Sequence, residues 1–391
     1  MTSTLITGIG ELTTNEPELG KQRDAAVVIE GDRIAWVGSP TQAGPADKCV
    51  DVEGRTVLPG WVDSHTHLVF GGDRTAEFEA RMAGQRYSAG GIKLTVSATR
   101  AASDQQLAAN LRRLVREARQ QGTTYLETKT GYGLTVADEV RSARIAADVA
   151  DQVTFLGAHI VPDDADPTSY VDMVTGPMLD GVAQYVRWVD VFCEEGAFDA
   201  EQSARVLRAA AERGLGVRVH GNQLGNGPGV RLAVRWGAAS VDHCCYLDQS
   251  DVDALAGSWD SGAGTVATVL PACDLSTRGP LAPARGLIDS GAVVAIASNA
   301  NPGSSYTTSM AFCVATAVLQ MGLSIDEAVW AATRGGAIAL HADAGDGAVG
   351  VIRPGARADL HVLDAPSAAH LAYRPGVPLT WAVWRAGVRE V

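Results

Sequence analysis

The stretch PGWVDSHTH, residues 59–67, decides how the chain folds and where its chemistry lies. Its Pro-Gly pair marks a switch from a preceding β-rich segment into a new strand-like run. His65 and His67 lie two residues apart in that run, so both side chains point to the same face of a strand. Two neutral imidazoles on one face can bind one Zn²⁺ or Fe²⁺ ion. The stretch therefore predicts the first strand of a domain that carries a metal site.

Downstream of this strand, apolar runs alternate with amphipathic helices, which is the pattern of parallel βα units. Capping boxes mark three helix starts, formed by Ser103 with Gln106, by Asp199 with Gln202 and by Ser324 with Glu327. Eight strand candidates accompany the helices, at residues 61–69, 124–128, 153–159, 188–193, 216–220, 240–244, 265–270 and 292–298. Eight such units predict an α/β fold, a (β/α)8 TIM-like barrel with its active site at the carboxyl ends of the strands.

Both ends of the chain read as short strands separated by turns. Residues 26–29 and 34–37 flank a Gly-Asp turn, which is a hairpin signal, and residues 358–363 and 380–384 repeat the strand pattern. Two β-rich ends that flank a different middle indicate one module built from both termini. We expect residues 1–58 and 346–391 to form a small β-sandwich, and residues 59–345 to form the barrel.

The composition limits the partners. With 391 residues, 46% of them hydrophobic and 20% charged, the chain is long enough for one barrel with an added module. A net charge of −13 argues against nucleic acid and anionic membranes, because both require clustered Lys and Arg. No run reaches the ~18 apolar residues of a membrane span, and the N-terminus lacks a signal pattern. We therefore expect a cytoplasmic protein without nucleic-acid or membrane partners.

Histidines gather at the predicted strand ends. Five of the eight lie there, namely His65, His67, His159, His220 and His243. His220 would be the third nitrogen ligand, and three neutral ligands leave a divalent metal able to lower the pKa of a water molecule. Hydrolysis also needs a proton acceptor, which the end of the last strand should supply. Asn299 stands there, and an amide offers a carbonyl oxygen to a metal but cannot accept a proton.

Three further side chains are candidates for holding a substrate. Arg74 follows a Gly-Gly-Asp loop and could pair with a carboxylate, although a solvated surface arginine fits the same pattern. Tyr132 lies between two glycines that would let the backbone approach a ligand, although such glycines also mark simple turns. Gln223, three residues after His220, could hydrogen-bond a ring nitrogen or a carbonyl group.

The chain resembles the imidazolonepropionases, a family of the amidohydrolase superfamily that acts in histidine degradation. The matching stretches run along nearly the whole chain and are PGWVDSHTHLVFGGDR, YSAGGI, ETKTGYGL, TFLGAHIVP, WVDVFCEEGAF, RVHGNQLG, SVDHC, NPGSS and PGARADL. The resemblance implies a barrel with a β-sandwich, one Zn²⁺ or Fe²⁺/Fe³⁺ ion per chain and a homodimer. It also implies the opening of 4-imidazolone-5-propanoate, a small cyclic substrate that bears a carboxylate, to N-formimidoyl-L-glutamate.

The resemblance also implies roles for individual positions. The metal ligands are implied to be His65, His67 and His220, with position 299 also touching the metal. The substrate-holding positions are implied to be Arg74, Tyr132, His159, Gln223, Asn301, Gly303 and Ser304. His243 matches a histidine near the water that reacts, and it joins positions 223 and 299 as a catalytic candidate.

Two positions depart from the family pattern. Gln223 stands where many members carry Glu, a change that a hydrogen-bonding role tolerates. Asn299 stands where the family carries the Asp that touches the metal and accepts a proton. We therefore expect weaker metal binding and slow turnover, from a substitution that is either engineered or natural. A divergent paralogue acting on another small cyclic amide or amidine, and a silent ligand-binding relative, remain the alternatives.

Overall fold

The computed structural model describes residues 2–85 and 89–391, so the start of the YSAGGI stretch lies outside the described residues. The strands in these ranges are β1 (Ser3–Thr13), β2 (Lys21–Glu30), β3 (Arg33–Gly38), β4 (Lys48–Asp51), β5 (Thr56–Pro59), β6 (Trp61–Asp63), β7 (Thr123–Lys129), β8 (Gln152–Ala158), β9 (Trp188–Cys193), β10 (Gly216–Gly221), β11 (Ser240–His243), β12 (Val266–Val269), β13 (Val294–Ile296), β14 (Leu360–Leu363), β15 (Thr380–Arg385) and β16 (Val388–Arg389).

Helices separate most of the central strands. They are α1 (Thr75–Met82), α2 (Ile92–Ala101), α3 (Asp104–Gln120), α4 (Val136–Ala147), α5 (Pro167–Met173), α6 (Leu179–Val182), α7 (Ala200–Glu212), α8 (Gly229–Arg235), α9 (Gln249–Gly257), α10 (Pro271–Thr277), α11 (Ala284–Asp289), α12 (Met310–Gln320), α13 (Ile325–Trp330), α14 (Gly336–Ala339) and α15 (His370–Tyr373).

One sheet joins the two ends of the chain. Its strand order is β16-β15-β14-β5-β1-β2-β3, with β4 paired to β1. The predicted hairpin is present as β2 and β3, and β14 pairs antiparallel with β5. Buried side chains from both ends, among them Ile6, Val27, Val57 and Leu360, pack into one core. The prediction of a β module built from both termini is confirmed.

The second sheet contains eight strands in consecutive order, from β6 to β13. Neighbouring strands from β7 to β13 pair in parallel. The ring closes because Thr66 forms a parallel bridge with Ala300 and the backbone N–H of Asn299 donates to the carbonyl of His65 at 3.0 Å. The predicted (β/α)8 barrel is confirmed, and closure brings the HxH segment to the chain that follows the last strand.

The three predicted helix starts are present. Asp199 with Gln202 and Ser324 with Glu327 form reciprocal capping boxes at the starts of α7 and α13. At α3, the backbone N–H of Gln106 donates to the Ser103 hydroxyl at 3.2 Å, and that of Ser103 donates to the Gln106 amide oxygen at 2.8 Å. Each box satisfies backbone donors that have no partner within the helix.

The first barrel strand is shorter than the predicted 61–69. It ends at Asp63, after which side chains of β7 accept several backbone donors. The N–H of Thr66 donates to the Glu127 carboxylate at 3.2 Å, and that of Leu68 donates to the Thr128 hydroxyl at 2.9 Å. Here side-chain acceptors take the place of backbone hydrogen bonds between neighbouring strands. The periodicity of the sequence does not predict such contacts.

The chain divides into two compact units. One contains residues 1–63, 116–125 and 309–391, and the other contains residues 64–115 and 126–308. All candidate site residues belong to the second unit. The predicted domain limits at residues 58 and 345 stay predictions. Among the described residues, no helix combines the length and the apolar character that crossing a membrane requires.

Candidate metal centre and active site

Three histidines converge at the carboxyl ends of the barrel strands. The Nε2 atoms of His65 and His67 lie 3.1 Å apart, and those of His67 and His220 lie 3.4 Å apart. A tetrahedral metal with bonds of about 2.0–2.1 Å to nitrogen separates its ligands by roughly 3.3–3.4 Å. Three lone pairs that face one another at this spacing repel unless a cation lies among them. The donor set therefore fits a divalent metal ion.

Burial keeps these imidazoles in the form that binds metals. It lowers the pKa of His65 to about 3, and it lowers the pKa of His67 well below its ordinary value. Both rings are therefore neutral near pH 7, which leaves a lone pair on each ring for a metal.

Two carboxylates orient two of the rings. Nδ1 of His65 lies 2.7 Å from Asp242, and Nδ1 of His220 lies 3.0 Å from Asp190. Burial opposes ionisation of Asp242, but Arg218 and His65 outweigh it and hold the pKa of that carboxyl well below its ordinary range. Burial likewise opposes ionisation of Asp190, and His220 and Lys129 outweigh it to lower that pKa. An ionised carboxylate at Nδ1 directs Nε2 towards the metal position.

These orienting residues did not emerge from the sequence reasoning. Glu127, Lys129, Asp190, Arg218 and Asp242 are all fully buried in the barrel interior. Part of the signal was present, because Glu127, Asp190, Arg218 and Asp242 are charged residues inside strand candidates and Lys129 directly follows one. Lys, Glu, Arg and Asp are rarely buried without partners, so such residues indicate an internal charge network.

The other predicted residues line one cavity. Its walls include His67, Arg74, Tyr132, His159, His220, Gln223, His243, Asn299, Asn301 and Ser304, with Ile92 and Phe192 as apolar members. His65 lies fully buried behind this wall, and Gly303 lies beside Arg74. The cavity has a volume of about 30 Å³, and it brings these predicted positions together at the strand ends.

Arg74 is the buried cation of this cavity. Its Nε and Nη2 donate to the two oxygens of Glu77, at 2.8 and 2.6 Å. Its Nη1 lies against Gly303, where an added Cβ would collide with the guanidinium. Glu77 was missed in the sequence, although it lies one helical turn after Arg74 in α1. The ion pair holds the guanidinium at the cavity wall.

The NPGSS loop after β13 is organised by Asn301. Its side-chain oxygen accepts the N–H groups of Gly303 and Ser304, both at 2.8 Å, and its amide nitrogen donates to the Ser304 hydroxyl at 2.9 Å. The Asn301 amide therefore bonds within its own loop, and it shapes the wall that Gly303 and Ser304 form.

A second loop presents Tyr132 and His159 to the cavity. The buried carboxylate of Glu139 accepts the N–H groups of Gly131, Gly133 and Leu134 at 2.7–3.0 Å. Nδ1 of His159 lies 2.9 Å from the carbonyl oxygen of Gly131, and burial lowers the pKa of His159 to about 4. Because Nδ1 donates to the carbonyl, the neutral ring keeps an acceptor at Nε2.

His243 and Asn299 both occupy the left-handed backbone region, at φ 87° and 51°. Such conformations are costly for residues other than glycine and often occur at functional sites. Nδ1 of His243 and Oδ1 of Asn299 are buried, and neither has a hydrogen-bond partner among the described residues. Buried polar atoms of this kind require explanation, and a bound ion or substrate would supply their partners.

Gln223 lies between the cavity and a neighbouring carboxylate. Its backbone N–H and that of Leu224 donate to Glu194, which follows β9. Burial raises the pKa of Glu194 to about 7. Glu194 was also missed in the sequence, and it fixes the loop that places Gln223 at the cavity wall.

The sequence profile of the amidohydrolase family matches residues 56–380. The imidazolonepropionase of Saccharopolyspora erythraea is 71% identical over 389 residues, covering 100% of this chain and 99% of its own length. The chain belongs to the imidazolonepropionase family of amidohydrolases. Imidazolonepropionases of Paenarthrobacter aurescens and Streptomyces coelicolor are 65% and 58% identical, covering 100% of this chain and 98% and 99% of their own lengths.

Solved structures show the same fold at low identity. An adenosine deaminase from Xanthomonas campestris with bound zinc has a TM-score of 0.75 at 19% identity, covering 100% of this chain and 93% of its own. An atrazine chlorohydrolase from Arthrobacter aurescens complexed with zinc has a TM-score of 0.73 at 20% identity, covering 99% and 95%. At these identities the likeness supports the barrel with its β module.

Family membership makes this imidazolonepropionase relative a hydrolase of carbon–nitrogen bonds in cyclic amides. Together with the His65, His67 and His220 set, it supports a divalent metal cofactor. The full-length match also makes a small cyclic substrate that carries a carboxylate the expected ligand of the family site.

Proposed function

We propose that this chain opens the ring of 4-imidazolone-5-propanoate to give N-formimidoyl-L-glutamate. The observation that carries the proposal is the convergence of three Nε2 atoms beside a cavity that is also lined by the buried Arg74. The three histidines can bind a metal ion beside the bond that is hydrolysed, while the guanidinium of Arg74 can bind the carboxylate of the same substrate.

The metal site in this proposal consists of His65, His67 and His220, with the amide oxygen of Asn299 as a further ligand. The ion is Zn²⁺ or Fe²⁺/Fe³⁺, because imidazole ligands suit both metals. When bound, such an ion supplies Lewis-acid activation of water and of the ring carbonyl group.

Substrate recognition is assigned to other side chains of the cavity wall. Arg74 pairs with the propionate, because a guanidinium binds carboxylates with directed hydrogen bonds. Gly303 and Ser304 shape the wall beside that guanidinium, and Asn301 holds their loop. Tyr132, His159 and Gln223 contact the ring and its polar atoms. The Nε2 acceptor of His159 suits a ring N–H donor.

Catalysis is assigned to His243, Gln223 and position 299. The family resemblance implies Asp as the proton acceptor at position 299, whereas this chain carries Asn there. With three neutral histidines, this amide leaves about one more unit of positive charge at the metal than Asp would. His243 faces the cavity and can position water, but its buried ring is neutral because burial holds its pKa well below the ordinary value. Turnover is therefore slow.

The test compares this chain with its Asn299→Asp variant on imidazolone propanoate, with metal content measured for both. We expect ring opening to be about 10²–10⁴-fold faster in the variant, because a general base contributes that much. Equal rates at equal metal content would contradict the proton-acceptor role of position 299. Failure of the substrate to raise the melting temperature of either protein would contradict the substrate assignment.

A homodimer and a cytoplasmic location stay part of this proposal. The first is an expectation from the family resemblance, and the second rests on the sequence features given above. Analytical ultracentrifugation of the full chain tests the oligomeric state.

A further inference from the structure

Lys129 is a fully buried cation that lies among three carboxylates of the barrel interior. Its Nζ is 3.0 Å from Glu127 Oε1, 3.0 Å from Asp190 Oδ2 and 4.0 Å from Asp242 Oδ2. All three contacts are ion pairs, and the one with Glu127 is also a hydrogen bond. One ammonium group is therefore shared by acids on three different strands.

Both aspartates also contact a candidate ligand, Asp190 through its other oxygen and Asp242 through the same oxygen that lies 4.0 Å from Lys129. Asp190 approaches Nδ1 of His220 with Oδ1 at 3.0 Å, and Asp242 approaches Nδ1 of His65 with Oδ2 at 2.7 Å. Lys129 thereby connects the orienting partners of two histidines that are 155 positions apart in the numbering of the chain. A metal ion can bind both rings only if their Nε2 atoms point to the same position. Lys129 contacts both of the aspartates that orient these rings.

The charges explain why the connection matters. Glu127, Asp190 and Asp242 bring three negative charges into the fully buried interior, and Lys129 and Arg218 bring two positive charges. Arg218 donates to Asp242 at 3.3 Å and to the carbonyl of Ser64 at 2.8 Å. Without the ammonium, Asp190 would lose its 3.0 Å ion pair with a cation. Buried carboxylates without a nearby cation repel one another and move apart.

We propose that Lys129 is a positioning residue for metal binding, which holds Asp190 and Asp242 as the acceptors of the Nδ1–H groups of His220 and His65. Both Nε2 atoms are then left to face the ion. This inference rests on the proposed metal site for its consequence, and on the described contacts for the orientation itself. Partners that orient a metal ligand commonly change metal affinity by about 10–100-fold when they are removed.

The first experiment reads the ring tautomers without any metal. The full chain is labelled with ¹⁵N-histidine, freed of metal with a chelator, and compared with its Lys129→Met variant by two-bond ¹H–¹⁵N correlation. We expect His65 and His220 to carry the proton on Nδ1 in the parent, and a mixture of tautomers in the variant. Identical spectra for these two rings would overturn the inference, whatever the metal affinity proves to be.

The second experiment measures Zn²⁺ affinity by chelator competition. Lys129→Met should bind Zn²⁺ about 10–100-fold more weakly than the parent chain. The matched control is the double variant Lys129→Met/Glu127→Gln, which removes one charge of each sign and therefore keeps the net charge of the buried cluster at the parent's value. It also serves if the single variant fails to fold. The double variant should keep the weakened affinity and the mixed tautomers, because the bridge is still missing.

The outcomes separate this inference from the metal proposal. If the double variant regains the parent's tautomers and affinity, Lys129 only neutralises Glu127 and the positioning role is wrong. If the tautomers change as expected but the parent chain itself binds no Zn²⁺, the positioning role stands and the metal assignment falls.

Discussion

Nη1 of Arg74 lies where a side chain at Gly303 would have to be, so the guanidinium and the glycine occupy complementary space. The two residues are 229 positions apart in the numbering, yet Gly303 lies directly against Arg74, which lines the candidate substrate cavity. The arginine is held from the other side by both oxygens of Glu77. The carboxylate-binding position is thus defined by the Arg74 guanidinium, by the Glu77 carboxylate that holds it and by the absence of a side chain at Gly303.

Gly303→Ala should displace Arg74 and weaken substrate use. Because misplacement of a binding group by about 1 Å can cost up to ~10² in rate, we expect kcat/KM to fall by up to that factor. Steady-state kinetics on the Asn299→Asp background measures it. Gly225→Ala is the matched control, since an added Cβ there meets nothing within 4 Å. Equal losses in both variants would contradict the steric role of Gly303.

Arg74→Met should weaken binding of the carboxylate-bearing ligand. Hydrogen bonds to charged groups contribute about 1.5–3 kcal/mol, so the Kd should rise roughly 10- to 100-fold. Calorimetry on the parent and variant measures this, and Arg74→Lys should recover only part of the affinity because it lacks the planar fork. An imidazolone that lacks the propionate is the control ligand. An equal loss for that ligand would argue against a carboxylate partner.

Removing the metal should destabilise the folded chain. Nε2 of His67 then lies 3.1 Å from that of His65 and 3.4 Å from that of His220 without a cation among them. An ion present at about 1,000 times its Kd stabilises the folded state by about 4 kcal/mol, so a chelator should lower the Tm. Thermal unfolding with and without chelator measures the shift. His67→Ala, which removes one ligand, should show little shift, and a chelator effect of equal size in that variant would point to another site.

The stability of the chain should depend on pH through Asp274. Burial raises the pKa of this carboxyl from 3.8 to about 7, and the carboxylate accepts the N–H of Ala282 at 3.2 Å. The folded state therefore retains a proton that the unfolded chain loses between these values. The contribution to stability is complete below about pH 4 and is lost as the pH rises through about 7.

Asp274→Asn cannot ionise, so it should gain stability relative to the parent between about pH 5 and pH 8. We expect a gain on the order of 2–3 kcal/mol, because about two of the roughly three units between the two pKa values lie in this pH window, at 1.36 kcal/mol each. Urea unfolding of the parent and the variant at about pH 5 and about pH 8 measures this difference in the free energy of unfolding. The exposed Asp253→Asn is the control substitution, and a pH-independent difference between Asp274→Asn and the parent would refute the burial argument.

The local elements were readable because neighbouring residues determine them. The capping boxes at Ser103, Asp199 and Ser324 lie within four residues each, and the structure contains all three. The pattern of the 61–69 strand candidate likewise predicted that His65 and His67 lie side by side, which they do although β6 ends at Asp63. Strand ends were harder, because the length of β6 depends on acceptors from Glu127 and Thr128 on another strand.

The sequence by itself determined the barrel, the terminal β module and the histidines at the strand ends, since these follow from short-range periodicity and from family motifs. Only the tertiary structure decided which charges meet. Asp242 pairs with His65, Asp190 with His220 and Glu77 with Arg74, while Lys129 joins the two aspartates. Apart from the Glu77 pair, these partners lie far apart in the chain. Their contacts depend on the closure and register of the barrel, which no local pattern encodes.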